Sequence, residues 1–140
     1  MGKILAIDFG LKRMGLALSD ETHTFAFGLH TVESKFIEKE LIALFKKEKI
    51  NLIVLGYPKT LKLKDTHVTE NVLLFKKRLE NLFTTIQIEL YDERFTSKMA
   101  TDSFRLTGLS QKKAKEKALI DEVSAVIILQ GFLNLKTNRN

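Results

Sequence analysis

The sequence predicts an α/β fold, a mixed sheet flanked by helices. Two observations carry that expectation. The apolar runs Ile4-Leu5-Ala6-Ile7 and Leu52-Ile53-Val54-Leu55 are short and uninterrupted, as strands buried on both faces are. Between and after them, apolar residues recur at helical spacing, so that strands and helices alternate once an opening group of strands has passed.

Lys3–Asp8 reads as the first strand. Met14–Ser19 reads as the second, with Met14, Leu16 and Leu18 alternating against Gly15, Ala17 and Ser19. The short connection from Phe9 to Arg13 predicts a hairpin. Thr24–Val32 is the third strand, with Phe25, Phe27 and Leu29 on one face, giving an antiparallel meander. The period then changes. Ser34 is placed to cap a helix whose buried positions are Ile37, Leu41, Leu44 and Phe45. Asn51–Leu55 is a buried parallel strand that ends at Gly56-Tyr57-Pro58. Lys59–His67 has no period and three lysines, which predicts a loop. Val68, Val72, Phe75, Leu79 and Leu82 mark a second helix, and Ile86–Tyr91 a further strand ending at Asp92-Glu93. Thr96 or Ser97 can cap a helix that Gly108 closes. Ser110–Lys117 is basic, and Ile120–Leu135 forms a last, apolar helix. The order is β-β-β-α-β-α-β-α-α, and in open α/β sheets ligand sites gather at the carboxyl ends of strands.

Composition narrows the chemistry. A chain of 140 residues, 44% of them hydrophobic and 29% charged, fits one domain over 1–140 with a real core. The absence of cysteine excludes disulfides, thiol catalysis and cysteine-bound zinc. Three scattered histidines make no His-x-x-x-His pair, so a catalytic metal would be a hard, oxygen-bound ion. A net charge of +6 favours polyanionic partners. No apolar run is long enough to cross a bilayer, the start has no secretory pattern, and Ala6 stands where an acylation signal needs Ser or Thr. The expectation is a cytoplasmic protein with no membrane partner.

Three acidic places stand out: Asp8, Asp92-Glu93 and Asp121-Glu122. A carboxylate that ends an apolar strand is costly unless something pairs with it. Carboxylates gathered in space repel one another, and divalent cations remove that penalty. Two such ions roughly 4 Å apart can activate water and stabilise the leaving oxygen in phosphodiester hydrolysis. On the last helix Asp121, Ser124, Ala125 and Ile128 share a face, and its small residues allow close approach to the sheet. Singly, each signal has a plainer reading. Asp8 could cap its own turn, Asp92-Glu93 could pair with Arg94 or cap a helix, and Asp121-Glu122 could complement a helix dipole. Lys112–Lys117 could be a solvated face.

At this point the motifs resemble one family closely. "ILAIDFGLKRMGLALSD" (4–20) is similar to the opening of the YqgF/RuvX family, "VLGYP" (54–58) to its Gly-x-Pro segment, "YDERFTS" (91–97) to its Asp-Glu-Arg motif and "IDEVSAVIILQGFL" (120–133) to its terminal helix. The resemblance covers Lys3 to about Leu133. It implies an RNase H-like fold with a five-stranded mixed sheet and helices on both faces. It also implies a nuclease dependent on Mg²⁺ or Mn²⁺, with Asp8, Glu93 and Asp121 as catalytic and metal-binding residues. The implied substrate is the 5′ end of precursor 16S ribosomal RNA, Holliday junction DNA being the alternative. One departure is the Lys59–Asp65 stretch, which has no glycine where the family carries a small Gly-containing loop.

On that reading Lys12, Arg13, Arg94, Lys112, Lys113 and Lys115 form a nucleic-acid track that holds phosphates without reading sequence. Structured RNA or branched DNA is the expected partner. A monomer suffices for RNA trimming, whereas a junction cutter calls for a symmetric homodimer. Two other classes compete: a non-catalytic nucleic-acid-binding module on the same basic surface, and an actin-like phosphate-binding ATPase suggested by "DFGLKRMG". The second needs two such domains, and this length supplies one.

Overall fold

A computed structural model describes residues 2–57, 66–92 and 124–134. Five strands form one sheet, β1 (Lys3–Asp8), β2 (Arg13–Ser19), β3 (Ala26–Glu33), β4 (Ile50–Tyr57) and β5 (Gln87–Asp92), in the order β3-β2-β1-β4-β5. β1 is central, antiparallel to β2 and parallel to β4, and β5 continues the parallel half. The sheet is therefore mixed, as the meander followed by alternating elements requires. Helices α1 (Ile37–Lys47) and α2 (Thr66–Leu82) connect β3 to β4 and β4 to β5. A third helix, α3, runs over 124–134.

Two cores follow from the period-2 alternation of the strands. On one face Leu5, Ile7, Leu16, Ile53 and Leu55 pack with Ile37 and Leu41 of α1 and with Val72, Phe75 and Leu79 of α2. On the other, Ile4, Ala6, Ala17, Leu52 and Val54 pack with Ala125, Ile128, Leu129 and Leu133 of α3. Ser124, Ala125 and Ile128, the face read from the helical spacing, are all fully buried. Ala6 and Ala17 oppose them from the sheet, so small residues on both sides bring helix and strands close.

Three local expectations shift. The third strand begins at Ala26, leaving Phe25 outside it, and its pairing slips between Gly15 and Ala17 of β2. This bulge puts Val32 into the same core that Leu29 flanks, three positions away, so a simple alternation does not run through the strand. Ser34 does not cap α1. A 3₁₀ turn over Ser34–Phe36 precedes the helix, which has no side-chain cap, and the Ser34 hydroxyl donates instead to the Gly10 carbonyl at 2.7 Å. The stretch read as a loop to His67 is already helical at Thr66, while residues 58–65 lie outside the described residues, as does the helix expected after Thr96.

The β2–β3 connection is built on Asp20. Its Oδ1 accepts from the backbone N–H of Thr24 at 2.8 Å and of Phe25 at 2.9 Å, and the Thr22 hydroxyl donates to Oδ2. His23 takes a positive φ of 58° in this turn, and its Nε2 lies 2.7 Å from the Gly2 carbonyl. The bond from the Phe25 N–H, then that from the Thr22 hydroxyl, holds the Asp20 carboxyl well below the usual carboxylate range. A depressed native pKa stabilises the fold above the unfolded-state value and loses that contribution as the pH falls toward the native one. Asp20→Asn is therefore expected to lower the urea midpoint at pH 7, with the difference from wild type shrinking once the pH drops below about 4.

Candidate active site

Asp8 is the last residue of β1. It follows four residues with no solvent exposure and is itself only 7% exposed. In register it lies beside Gly56 of β4, which in turn lies beside Tyr91 of β5. The Phe9 N–H donates to the Gly56 carbonyl at 3.2 Å, so the parallel pairing continues past Asp8. Position 56 carries no side chain.

Asp8 alternates with Ile4 and Ala6, both packed under α3, so it belongs to the α3 face of the sheet. α3 also touches the start of β3, where Gln130 Nε2 donates to the Thr24 carbonyl at 3.4 Å. Further along α3, Gly131 makes room for β5: a Cβ there would meet the Tyr91 hydroxyl at 2.5 Å. The Ser124 hydroxyl, in the first described turn, is buried and has no hydrogen-bond partner among the described residues.

Lys12 and Arg13 sit in the turn that follows Asp8, and Ser34 clamps this turn twice. Its hydroxyl donates to the Gly10 carbonyl at 2.7 Å and its N–H to the Lys12 carbonyl at 2.8 Å. The two cations border a shallow depression that also takes in Leu11, Glu33 and Lys35. Lys35 was not singled out in the sequence, because only the pairing of β2 with β3 brings it to Lys12. A second cavity of about 440 Å³ lies between the same turn and α2; its walls include Phe9, Leu11, Phe75, Lys77, Arg78 and Asn81. These α2 residues were also missed, although Asn71, Leu74, Arg78 and Asn81 recur at helical spacing with an exposed leucine among them.

Of the three acidic positions, Asp8 is the one whose surroundings are described. Glu93 and Asp121 lie outside the described residues, as do Arg94, Lys112, Lys113 and Lys115. Among the described residues no three acidic or histidine side chains gather to hold an ion. The Asp8 carboxylate, on the α3 face, offers oxygen, the ligand atom that a hard divalent cation takes.

Comparison with known proteins agrees with this architecture. The sequence model of RuvX, described as Holliday junction resolvase, matches residues 2–135. A Flavobacterium psychrophilum protein with the name "Putative pre-16S rRNA nuclease" is 41% identical over 136 residues, covering 97% of this chain and 99% of its own. A protein of the same name from Christiangramia forsetii is 42% identical over 133 residues, covering 95% and 98%. The structure of T. thermophilus RuvC in complex with a Holliday junction substrate matches at a TM-score of 0.57 and 12% identity, over 98% of this chain and 96% of that one, a likeness of fold.

The tight β1–β2 turn provides a direct test of the site's scaffold. A Cβ added at Gly10 would lie 2.1 Å from the Arg13 carbonyl oxygen, a backbone atom that cannot move without the turn. Gly10→Ala is expected to destabilise the protein by about 1–3 kcal/mol in urea titrations, the range for an overpacked site. Taken together, the five-stranded mixed sheet with Asp8 at the end of its central strand, the RNase H-like fold shared with RuvC, and a match over nearly the whole chain establish that this protein belongs to the RuvX family.

Proposed function

We propose that this RuvX-family nuclease hydrolyses phosphodiester bonds in structured RNA, trimming the 5′ end of precursor 16S ribosomal RNA in the cytoplasm, and that it works as one RNase H-like domain. The observation that carries the reading is the placement of a buried carboxylate, Asp8, at the end of the central strand, with Lys12 and Arg13 held in a clamped turn beside it. The names of the full-length relatives support the substrate.

Asp8, Glu93 and Asp121 would hold Mg²⁺ or Mn²⁺ between them. Bound there, such ions supply an activated water and stabilise the departing oxygen. Lys12 and Arg13 hold a phosphate of the substrate strand at the strand end, and the rigidity of their turn fixes its distance from Asp8. Arg94, Lys112, Lys113 and Lys115 extend the cationic track. These contacts read backbone and shape, so specificity comes from the form of the RNA and not from its base sequence.

Cleavage of a precursor 16S 5′ segment and of a four-way DNA junction, each with Mg²⁺, tests this. The RNA is expected to be cut at a defined position, and Asp8→Asn to lower turnover at least about a hundredfold while binding persists. Equal cleavage by wild type and Asp8→Asn removes Asp8 from the site, faster cutting of the junction overturns the RNA assignment, and salt-sensitive binding without turnover leaves a binding module. A separate measurement addresses the track. Lys12→Ala is expected to reduce the slope of log affinity against log salt by about 0.7–0.9 for one lost phosphate contact, with affinity falling alike for all sequences.

A further inference from the structure

The cavity between the β1–β2 turn and α2 has no part in the chemistry described so far. It begins one residue after Asp8 but opens on the opposite face of the sheet, away from α3. Its floor is apolar: Phe9 and Phe75 are buried there with ring centroids 5.6 Å apart, tilted by 44°. Its rim is different. Leu11 and Leu74, 57% and 61% exposed, stand on either side of the opening and offer apolar contact to whatever enters it. The amides of Asn71 and Asn81 lie along the α2 side, and Lys77 and Arg78 complete it.

Size, shape and charge together select an occupant. A volume of about 440 Å³ lies within the range of small-molecule sites. An apolar floor with amide groups at the edge suits a flat heteroaromatic ring, whose faces take dispersion contacts and whose edge carries donors and acceptors. Cations favour an anionic ligand, and here they continue from one depression to the next. Leu11 is shared with the neighbouring hollow, where Lys12, Arg13 and Lys35 lie. Against these five basic residues stand two acidic ones, Glu33 in the hollow and Glu38, whose carboxylate accepts from Arg78 at 2.6 Å. A ring with phosphates on both sides, crossing a leucine between two basic hollows, describes one nucleotide of a single strand.

We propose that this cavity is a subsite for a single unstacked nucleobase of the substrate strand. The adjacent phosphate lies over Lys12 and Arg13, and the Leu11 side chain separates the bound base from the next one. The inference rests on the nuclease reading for the identity of the ligand, though not on the acidic residues. By holding a flipped base one residue from the Asp8 strand end, the subsite sets which phosphate reaches the carboxylates. It would also require the RNA to be single-stranded at that nucleotide, since a base locked in a duplex cannot enter.

The test uses the full chain and single-stranded oligonucleotides that carry one abasic residue, moved stepwise along the sequence, with affinity read by fluorescence anisotropy. Wild type is expected to lose about tenfold in affinity when the abasic residue falls at one position and little elsewhere. Leu74→Ser and Asn81→Ala, both exposed on α2 and so compatible with folding, are expected to bind intact and abasic strands alike. Lys77→Ala should weaken both equally, and Asp8→Asn should retain the tenfold preference. A uniform response to the abasic scan, or variants that keep the wild-type preference, overturns the subsite even if the protein cleaves RNA. A position-dependent response in a protein that cleaves nothing sustains the subsite and refutes the catalytic reading instead. Protection of the cavity by a peptide but by no oligonucleotide likewise overturns the nucleobase assignment.

Discussion

The structure depends on keeping one carboxylate at the tip of a strand that is otherwise completely dry. Ile4, Leu5, Ala6 and Ile7 have no exposure at all, and Asp8 follows with almost none. Withdrawing an ionised carboxylate from water costs several kcal/mol unless the surroundings answer its charge. Such a group holds its place only within surroundings built to receive it, and here it ends the central strand of a five-stranded sheet. Two features beside it restrict movement: parallel pairing to β4 that continues through Phe9, and a turn pinned by the hydroxyl and the N–H of Ser34.

The two faces of the sheet divide the work. One is covered by α1 and α2, with large aliphatic and aromatic side chains, and forms the larger core. The other is covered by α3 through Ala6, Ala17, Ser124 and Ala125, and small side chains let the helix come near. Bulky packing sets helices at a distance and tolerates hollows where they diverge, which is where the cavity beside Phe75 arises. Close packing through small side chains fixes a helix accurately, which suits the face that carries Asp8.

The sheet and its helices were largely legible in the sequence because burial imposes a period, and the period is written in the residues. Ile37 and Leu41, or Val72, Phe75 and Leu79, could hardly mean anything but a helix face. Ser34 was misread because a serine before an apolar run looks the same whether its hydroxyl bonds its own helix or a turn elsewhere in the chain, and the turn at Gly10 is a tertiary neighbour that no local pattern reveals. The bulge in β3 escaped for a related reason: one extra residue shifts the alternation without changing the kinds of residue present. Within the site, Asp8 announced itself by chemistry out of place. The hollow lined by Asn81 and Arg78 did not, since a cavity is the failure of two surfaces to meet and neither sequence alone records it.

The pairing of β1 with α3 joins opposite ends of the chain. During translation the hairpin bearing Asp8 leaves the ribosome early, yet Ile4, Ala6 and Val54 stay uncovered on that side until the helix over 124–134 follows. Long-range closure of this kind comes late, because the chain entropy has to be spent before the contacts form. The face of the sheet that carries Asp8 is thereby closed by a segment far downstream in the chain, so assembly of that face is tied to the order of synthesis.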